Sequence, residues 1–139
     1  MKVAKRTSRA AVITGIVLAL AIATGCGAGP SKSEKTVRRF VSAMMRDDQA
    51  TLRSMISPSW LRAAGINVEE YVVNALSPVS CEVESVRGPE VTVKLRHLAG
   101  ATRLVLRVTD EEGQSYIEPG GIGSRGWIEP WVRMERLDE

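Results

Sequence analysis

Few side chains in this sequence are of the kinds that carry out acid–base or nucleophilic chemistry. The 139 residues include one histidine, two cysteines and two tyrosines. His97 is the candidate general base, because it continues the alternating series Val91, Val93 and Leu95 and would face the same side of a strand. A histidine in such a place is more often a core or rim residue with satisfied hydrogen bonds. We therefore assign no catalytic residue.

The same scarcity bears on metals and cofactors. A zinc site needs several cysteine, histidine or carboxylate ligands close together. A lone His97 and two distant cysteines do not form such a cluster. We expect no metal site and no cofactor.

Residues 121–126 match G-x-G-x-x-G, a motif whose backbone amides bind a pyrophosphate. The working motif opens a helix and is followed by an acidic residue about 20 positions later. In this chain a strand that contains Pro130 follows instead. The stretch is better interpreted as a mobile hairpin loop near the mouth of a pocket, where Arg125 could contact an anionic ligand.

The N-terminal segment has the layout of a secretory signal peptide. Residues 1–9 carry four basic side chains and no acidic one, and residues 10–23 are almost wholly apolar. A transmembrane helix needs about 20 apolar residues, so this run is too short for a comfortable span. We predict that the segment is removed.

The end of that segment, Thr24-Gly25-Cys26, resembles the lipobox of bacterial lipoproteins. The resemblance implies a signal peptide over residues 1–25, a cysteine that carries palmitate-type acyl chains, and a lipidated tether over residues 26–30. It also implies a domain outside the cytoplasm, anchored to a membrane of the bacterial cell envelope, by default the outer one where two exist. The alternative is an ordinary cleaved signal, with Cys26 a stray thiol or half of a disulfide to Cys81.

Composition limits what the remaining chain can be. Loss of residues 1–25 would leave 114 residues, enough for one domain, residues 31–139, with a core that needs no disulfide. Of the 19 basic residues four precede Cys26, whereas all 16 acidic residues follow it, so the mature chain would carry a net charge of −1. Nucleic-acid binding needs a concentrated basic face, and we exclude it. Cys81, between polar neighbours, is expected to be a buried thiol.

Hydrophobic periodicity predicts helices in the first half of the domain. A helix that begins near residue 32 would place five apolar side chains on one core face: Val37, Phe40, Val41, Met44 and Met45. Residues 47–48 can cap a second short helix, and residues 57–64 form a third that stops at Gly65. Asn67 and Glu70 predict a last helical piece through Leu76.

After Pro78 the pattern alternates with period two, which predicts half-buried strands separated by turns and paired antiparallel. The charged residues between the apolar ones, such as Glu84, Arg103 and Arg107, are expected on a solvated sheet face. Residues 127–134 predict a last strand, which Pro130 confines to an edge or a bulge. Helices followed by an antiparallel sheet of four to five strands define an α+β fold.

This order of elements over residues 31–136 resembles the cone-shaped family of nuclear transport factor two and ketosteroid isomerase. The resemblance implies a curved sheet that wraps the first helix and can enclose a pocket. The isomerase pattern pairs a carboxylate base with a tyrosine and a protonated carboxylic acid. Phe40 stands on helix one in place of a tyrosine, and Tyr71 and Tyr116 have no matching acid, so no catalytic residue carries over.

Tryptophan supplies large apolar area with one polar handle and is favoured at interfaces. Trp127 and Trp131 are spaced to share a strand face and could meet a partner chain or lipid headgroups, or could simply close one end of the core. The candidate pocket or contact residues are His97, Tyr71, Trp60, Trp127, Trp131 and Arg125.

The leading hypothesis is a membrane-anchored lipoprotein whose domain binds an envelope protein partner or a small apolar ligand without catalysis. The alternative is a small isomerase- or cyclase-like enzyme with a cavity between helix one and the sheet. A filled interior would argue against the enzyme, whereas convergent titratable groups in a roomy pocket would favour it.

Overall fold

The structure is a computed structural model that describes residues 29–67 and 70–138. The predicted signal peptide, Cys26 and the first half of the predicted tether lie outside the described residues. Residues Lys32–Glu139 form one compact unit. Among the described helices, none is both long enough and apolar enough to cross a membrane.

Within residues 29–67 and 70–138, three helices precede seven strands, which confirms the predicted α+β class with its N-terminal helices. The helices are α1 (Lys32–Met45), α2 (Gln49–Ser54) and α3 (Pro58–Ala64). The strands are β1 (Ser80–Arg87), β2 (Glu90–His97), β3 (Gly100–Glu111), β4 (Gln114–Glu118), β5 (Gly121–Ile122), β6 (Ile128–Glu129) and β7 (Arg133–Leu137).

Helix α1 presents an apolar face to the core, as its 3.6-residue period predicts. Val37, Phe40, Val41 and Met44 are buried. Met45 was expected on the same face but is 45% exposed. It is the last residue of the helix, where the apolar stripe has rotated away from the core.

The two short helices begin and end at the residues that their sequences indicate. The Asp48 carboxylate accepts a hydrogen bond from the Thr51 amide at the start of α2, and the Ser57 hydroxyl accepts one from the Trp60 amide at the start of α3. Gly65 ends α3 in the left-handed conformation, with φ 68°, that suits glycine. Side-chain caps thus satisfy amides that a helix start leaves unpaired.

The helical piece predicted through Leu76 is wrong, because its described part, residue 67 and residues 70–76, contains no helix. Gln49 holds this segment from the side: its amide nitrogen donates to the Val73 carbonyl at 2.7 Å and its oxygen accepts from the Val73 amide at 3.0 Å. Val73 also forms an isolated parallel bridge with Ile128. These lateral bonds replace the hydrogen bonds of a helix.

The main sheet has five strands, and every pairing in it is antiparallel. Its path runs β1-β2-β3-β4, and β7 joins the same side of β3 as β4 does. Strand β4 pairs with residues 107–111 of β3, whereas β7 pairs with residues 101–105. The long strand β3 therefore holds three neighbours together.

The single C-terminal strand predicted over residues 127–134 is in fact divided. Residues 128–129 belong to the two-stranded β5–β6 ribbon, and β7 begins only at Arg133. Pro130 lies in the break, and a proline cannot donate to a strand ladder. Trp131 is consequently buried while Trp127 is partly exposed, and the two side chains do not share a strand face.

The core lies between α1 and the inner face of the sheet. Phe40 and Met44 join one contiguous buried cluster with Val93, Leu104 and Leu106. Each of these five side chains has no accessible surface, so no space the size of a water molecule borders them. At a hydrophobic stabilisation of about 1.5–3 kcal/mol for each fully buried large side chain, this contact is the main source of stability.

The outer face of the sheet carries cross-strand ion pairs. Arg103 bonds to Glu84 at 2.6 Å and to Glu135 at 3.1 Å. Arg107 bonds to Glu90 at 2.6 Å. The expectation of a solvated, charge-alternating face is confirmed, and such exposed pairs each contribute under about 1 kcal/mol.

One acidic side chain joins the end of β3 to the start of α3. The Glu111 carboxylate accepts hydrogen bonds from the Ser57 hydroxyl and from the Ser59 amide. The bond from Ser57, with further help from Ser59 and the charge of Arg62, lowers the pKa of Glu111 from its ordinary value of 4.5. The contact thus favours the ionised carboxylate.

We predict that Glu111→Gln lowers the free energy of unfolding by about 1 kcal/mol at pH 7, a value reduced by solvent screening. The pKa is lower in the folded chain, so the contribution is complete above the ordinary pKa of 4.5 and is lost as the pH falls through the folded value. In urea denaturation, the difference in unfolding free energy between the variant and the wild type should therefore shrink below about pH 4.

The control variant is Glu112→Gln, which alters a neighbouring carboxylate that makes no hydrogen bond or ion pair within the described chain. Its stability curve should run parallel to that of the wild type. A Glu111→Gln difference that stays constant from pH 7 to pH 3 would contradict this assignment.

Candidate functional site

His97 lies on the inward series of β2, at the end of the strand, and both its ring nitrogens are engaged. Nδ1 lies 3.2 Å from the Leu76 carbonyl oxygen, and Nε2 lies 3.1 Å from the Thr102 hydroxyl. A carbonyl can only accept, so Nδ1 carries the proton and Nε2 accepts from Thr102 in the neutral ring. His97 thereby ties β2 and β3 to the segment before β1.

The backbone at that contact is unusual. Leu76 and Ser77 have φ angles of 55° and 47°, in the left-handed region that non-glycine residues rarely adopt. The Leu76 amide also donates to the Asn74 side chain at 3.1 Å. The bond from His97 to Leu76 thus helps to hold this sharp turn.

A cleft of about 530 Å³ lies beside His97. Thr102 and Met134 line it, together with Arg136 and Asp138 near the end of the described chain. Neither Arg136 nor Asp138 bonds to His97 within the described residues. The histidine therefore lacks the oriented carboxylate partner that a general base commonly has.

The structure places Tyr71 and Trp131 in the core. Tyr71 is buried, and its hydroxyl donates to the Arg53 carbonyl at 2.7 Å. Burial raises the pKa of Tyr71 to about 12, against a smaller opposing effect of the Arg53 charge. Trp60 packs against the same core while partly exposed. These three side chains therefore pack in or against the core, whereas Trp127 is exposed.

Trp127 comes directly after residues 121–126, the stretch that matched G-x-G-x-x-G and that contributes the loop of the β5–β6 hairpin. The loop closes through a bond from the Gly123 amide to the Trp127 carbonyl at 2.8 Å. The Arg125 guanidinium carbon lies 5.4 Å from the centroid of the Trp127 ring, a cation–π contact. Trp127 is 36% exposed and Ile122, on the facing strand, is 51% exposed.

Two small clefts flank this hairpin. One, of about 330 Å³, is lined by Gln49 and by residues 72–77, and the other, of about 240 Å³, by Arg125 and Glu129 among others. Trp127 and Asn74 line both clefts. An exposed tryptophan therefore stands between two concave surfaces.

A further cleft lies between α1, the end of α2 and β4, and sequence reasoning did not single out its residues. Its volume is about 530 Å³, and Lys35 and Arg39 of α1 line it opposite Gln114 and Tyr116. The spacing of four residues places both cations on one helical face. The sequence alone predicts a solvent-exposed helix face at Lys35 and Arg39, because it does not show that β4 lies beside them.

Comparisons with known proteins add no assignment to this geometry. Neither a scan against family models nor searches of curated proteins and of solved structures found a match for this chain. Within residues 29–67 and 70–138, no group of three or more histidine, cysteine, aspartate or glutamate side chains is arranged to hold a metal ion.

We predict that His97 acts on stability through Thr102 and Leu76. His97→Ala should lower the free energy of unfolding by about 1–3 kcal/mol, because it leaves the Thr102 hydroxyl and the Leu76 carbonyl without this partner. A double-mutant cycle with Thr102→Val should give a coupling of about 0.5–1.5 kcal/mol in urea denaturation.

Leu98→Ala is the matched control, since Leu98 adjoins His97 but is 98% exposed. It should change stability by less than about 0.5 kcal/mol. Additive effects of His97→Ala and Thr102→Val would show that the two side chains are not coupled.

Proposed function

We propose that this protein is a membrane-anchored envelope lipoprotein whose α+β domain is a non-enzymatic module that binds a partner protein. The observation that carries the proposal is the exposed Trp127, held by Arg125 and set between two clefts. Acyl chains on Cys26 would confine the domain to the membrane surface. The binding surface is the β5–β6 hairpin together with residues 72–77.

The chemistry of this surface suits a protein partner. Tryptophan and arginine are enriched among the residues that contribute most to protein–protein binding. Ile122 adds exposed apolar area on the same hairpin, while Asn74 and Glu129 supply polar groups at the clefts. Two clefts of about 330 and 240 Å³ lie at or below the lower end of the range for small-molecule sites. They match single side chains of a partner better than a whole ligand.

The geometry gives less support to the enzyme alternative, and to an apolar ligand held inside the cone. Both need space between α1 and the central strands β2 and β3, where Phe40, Met44 and Leu104 have no accessible surface. The candidate base, His97, has both nitrogens in hydrogen bonds to the protein. A binding role on the periphery requires no such internal space.

The anchor is tested by metabolic labelling of cells with a fatty acid. The full chain should incorporate label and sediment with membranes, whereas Cys26→Ala should do neither, because a doubly acylated cysteine supplies the stable attachment. Cys81→Ala is the control and should retain both. Label and membrane attachment that persist in Cys26→Ala would overturn the anchoring part of the proposal.

The partner surface is tested by photo-crosslinking in intact cells. A photoreactive residue at Ile122 should give a discrete protein adduct, and Trp127→Ala in the same chain should reduce it by about tenfold or more, as expected for a dominant interface residue. The control position is Val86, which has the same 36% exposure as Trp127. It lies at the far end of β1 from residues 72–77, roughly 20 Å from Ser80.

Equal adducts at Ile122 and Val86 would contradict this binding surface. An adduct at Ile122 that is indifferent to Trp127→Ala would do the same. Because the two experiments use different residues, the anchor and the partner surface can fail separately.

A further inference from the structure

The cleft between α1 and β4 is lined by two cations and by polar side chains, and none of its described lining residues is a carboxylate. Its lining consists of two basic residues, three short hydroxyl residues, an amide, a tyrosine and a methionine: Lys35, Arg39, Thr36, Ser54, Ser115, Gln114, Tyr116 and Met55. The lining therefore holds two positive charges and no negative one, while the Asp110 carboxylate lies beside it and accepts a hydrogen bond from the Ser115 hydroxyl at 2.8 Å.

The two cations of the cleft differ from the other basic residues of this region. Lys32 pairs with Asp110 at 3.2 Å, Arg38 with Glu34 at 2.8 Å, and Arg46 with Asp48 at 3.7 Å. Lys35 and Arg39 make no ion pair or side-chain hydrogen bond with any part of the chain that the structure describes. Their charges are therefore available to a ligand.

The edge of β4 adds a backbone donor to the same cleft. Successive amides along a strand point to opposite sides. The Ile117 amide points away from β3, because it donates to the Met55 carbonyl at 2.7 Å. The Ser115 amide, two residues earlier, points to that same side and has no backbone acceptor in the described chain. It lies where the cleft residues Lys35 and Arg39 face β4.

The side chain of Gln114 also lines the cleft. Its oxygen accepts a hydrogen bond from the Tyr116 hydroxyl at 2.8 Å. This bond leaves the Gln114 amide nitrogen as a donor with no described partner. The cleft therefore offers an ammonium, a guanidinium, a side-chain amide and a backbone amide.

We propose that this cleft binds the phosphate group of a phosphorylated ligand. A phosphate monoester carries a charge near −2 at neutral pH and three acceptor oxygens, which matches two cations and two amide donors. Arginine binds phosphate oxygens in a bidentate manner. The volume of about 530 Å³ exceeds that of a phosphate ion alone, and Met55 with the ring of Tyr116 provides apolar surface for the attached group.

Two sources can supply this chemistry. One is a free phosphate monoester, and the other is the phosphodiester of a membrane phospholipid headgroup. The second source rests on the proposed anchor: residues 27–31 would separate Cys26 from α1, a reach of about 20 Å at most. The two sources differ in the charge and substitution of the phosphate, so probes can distinguish them.

The test is calorimetric titration of the full chain in neutral detergent at constant ionic strength. The probes are inorganic phosphate, glycerol 3-phosphate and monomeric dihexanoyl phosphatidylglycerol, with dihexanoyl phosphatidylcholine as the zwitterionic comparison. At least one phosphate probe should bind in a saturable manner. Lys35→Gln with Arg39→Gln should weaken that binding by about tenfold or more, as expected for lost hydrogen bonds to a charged group.

The matched control is Arg38→Gln with Arg46→Gln, which removes the same charge from the same region outside the cleft. It should leave the affinity within about twofold. Binding of glycerol 3-phosphate without phosphatidylglycerol supports a free monoester, and the reverse supports a headgroup. Failure of all phosphate probes to bind, or equal losses in the two double variants, would overturn the proposal.

Tyr116→Phe, with circular dichroism to confirm folding, gives a second variant expected to weaken binding severalfold.

Discussion

The packing of α1 against β2 and β3 is the contact on which the rest of this structure depends. It brings the apolar stripe of one helix onto the inward-facing residues of the two central strands, and it leaves no water-sized space beside Phe40, Met44 or Leu104. Apolar burial is the dominant favourable term in folding. The clefts that the described residues line accordingly lie at the periphery of this core.

The periphery is shaped by how the remaining elements attach to that core. Strand β3 is long enough to pair with β7 and then β4, one after the other along the same edge, and the far edge of β4 lies beside α1. Pro130 interrupts the chain between β6 and β7, so β6 pairs with β5 in a separate two-stranded sheet. Trp127 directly precedes β6 in this hairpin. The cleft between α1 and β4 and the hairpin surface therefore both lie where strands end or separate.

Sequence patterns predicted the elements whose burial is locally periodic. Helix α1 and strand β2 follow their periods of 3.6 and 2 because one core covers one side of each. The segment after Asn67 was mispredicted, since the Gln49 side chain and β6 hold Val73 from outside the segment. Pro130 correctly indicated an interruption of regular strand pairing. The division of the C-terminal strand between two sheets was not predictable, because it depends on pairing with β5 and β3. The cleft at Lys35 was not predictable, because nothing local shows that β4 adjoins α1.

Native-state hydrogen exchange of the full chain tests the central claim, a single core shared by α1 and the sheet, most directly. Phe40→Leu should lower stability by about 1 kcal/mol, with Met45→Ala as the control at a 45% exposed site of the same helix. The account predicts that the slowest amides of α1, β2 and β3 lose protection by the same free energy in Phe40→Leu. Loss confined to α1, with β2 and β3 unchanged, would contradict a shared core.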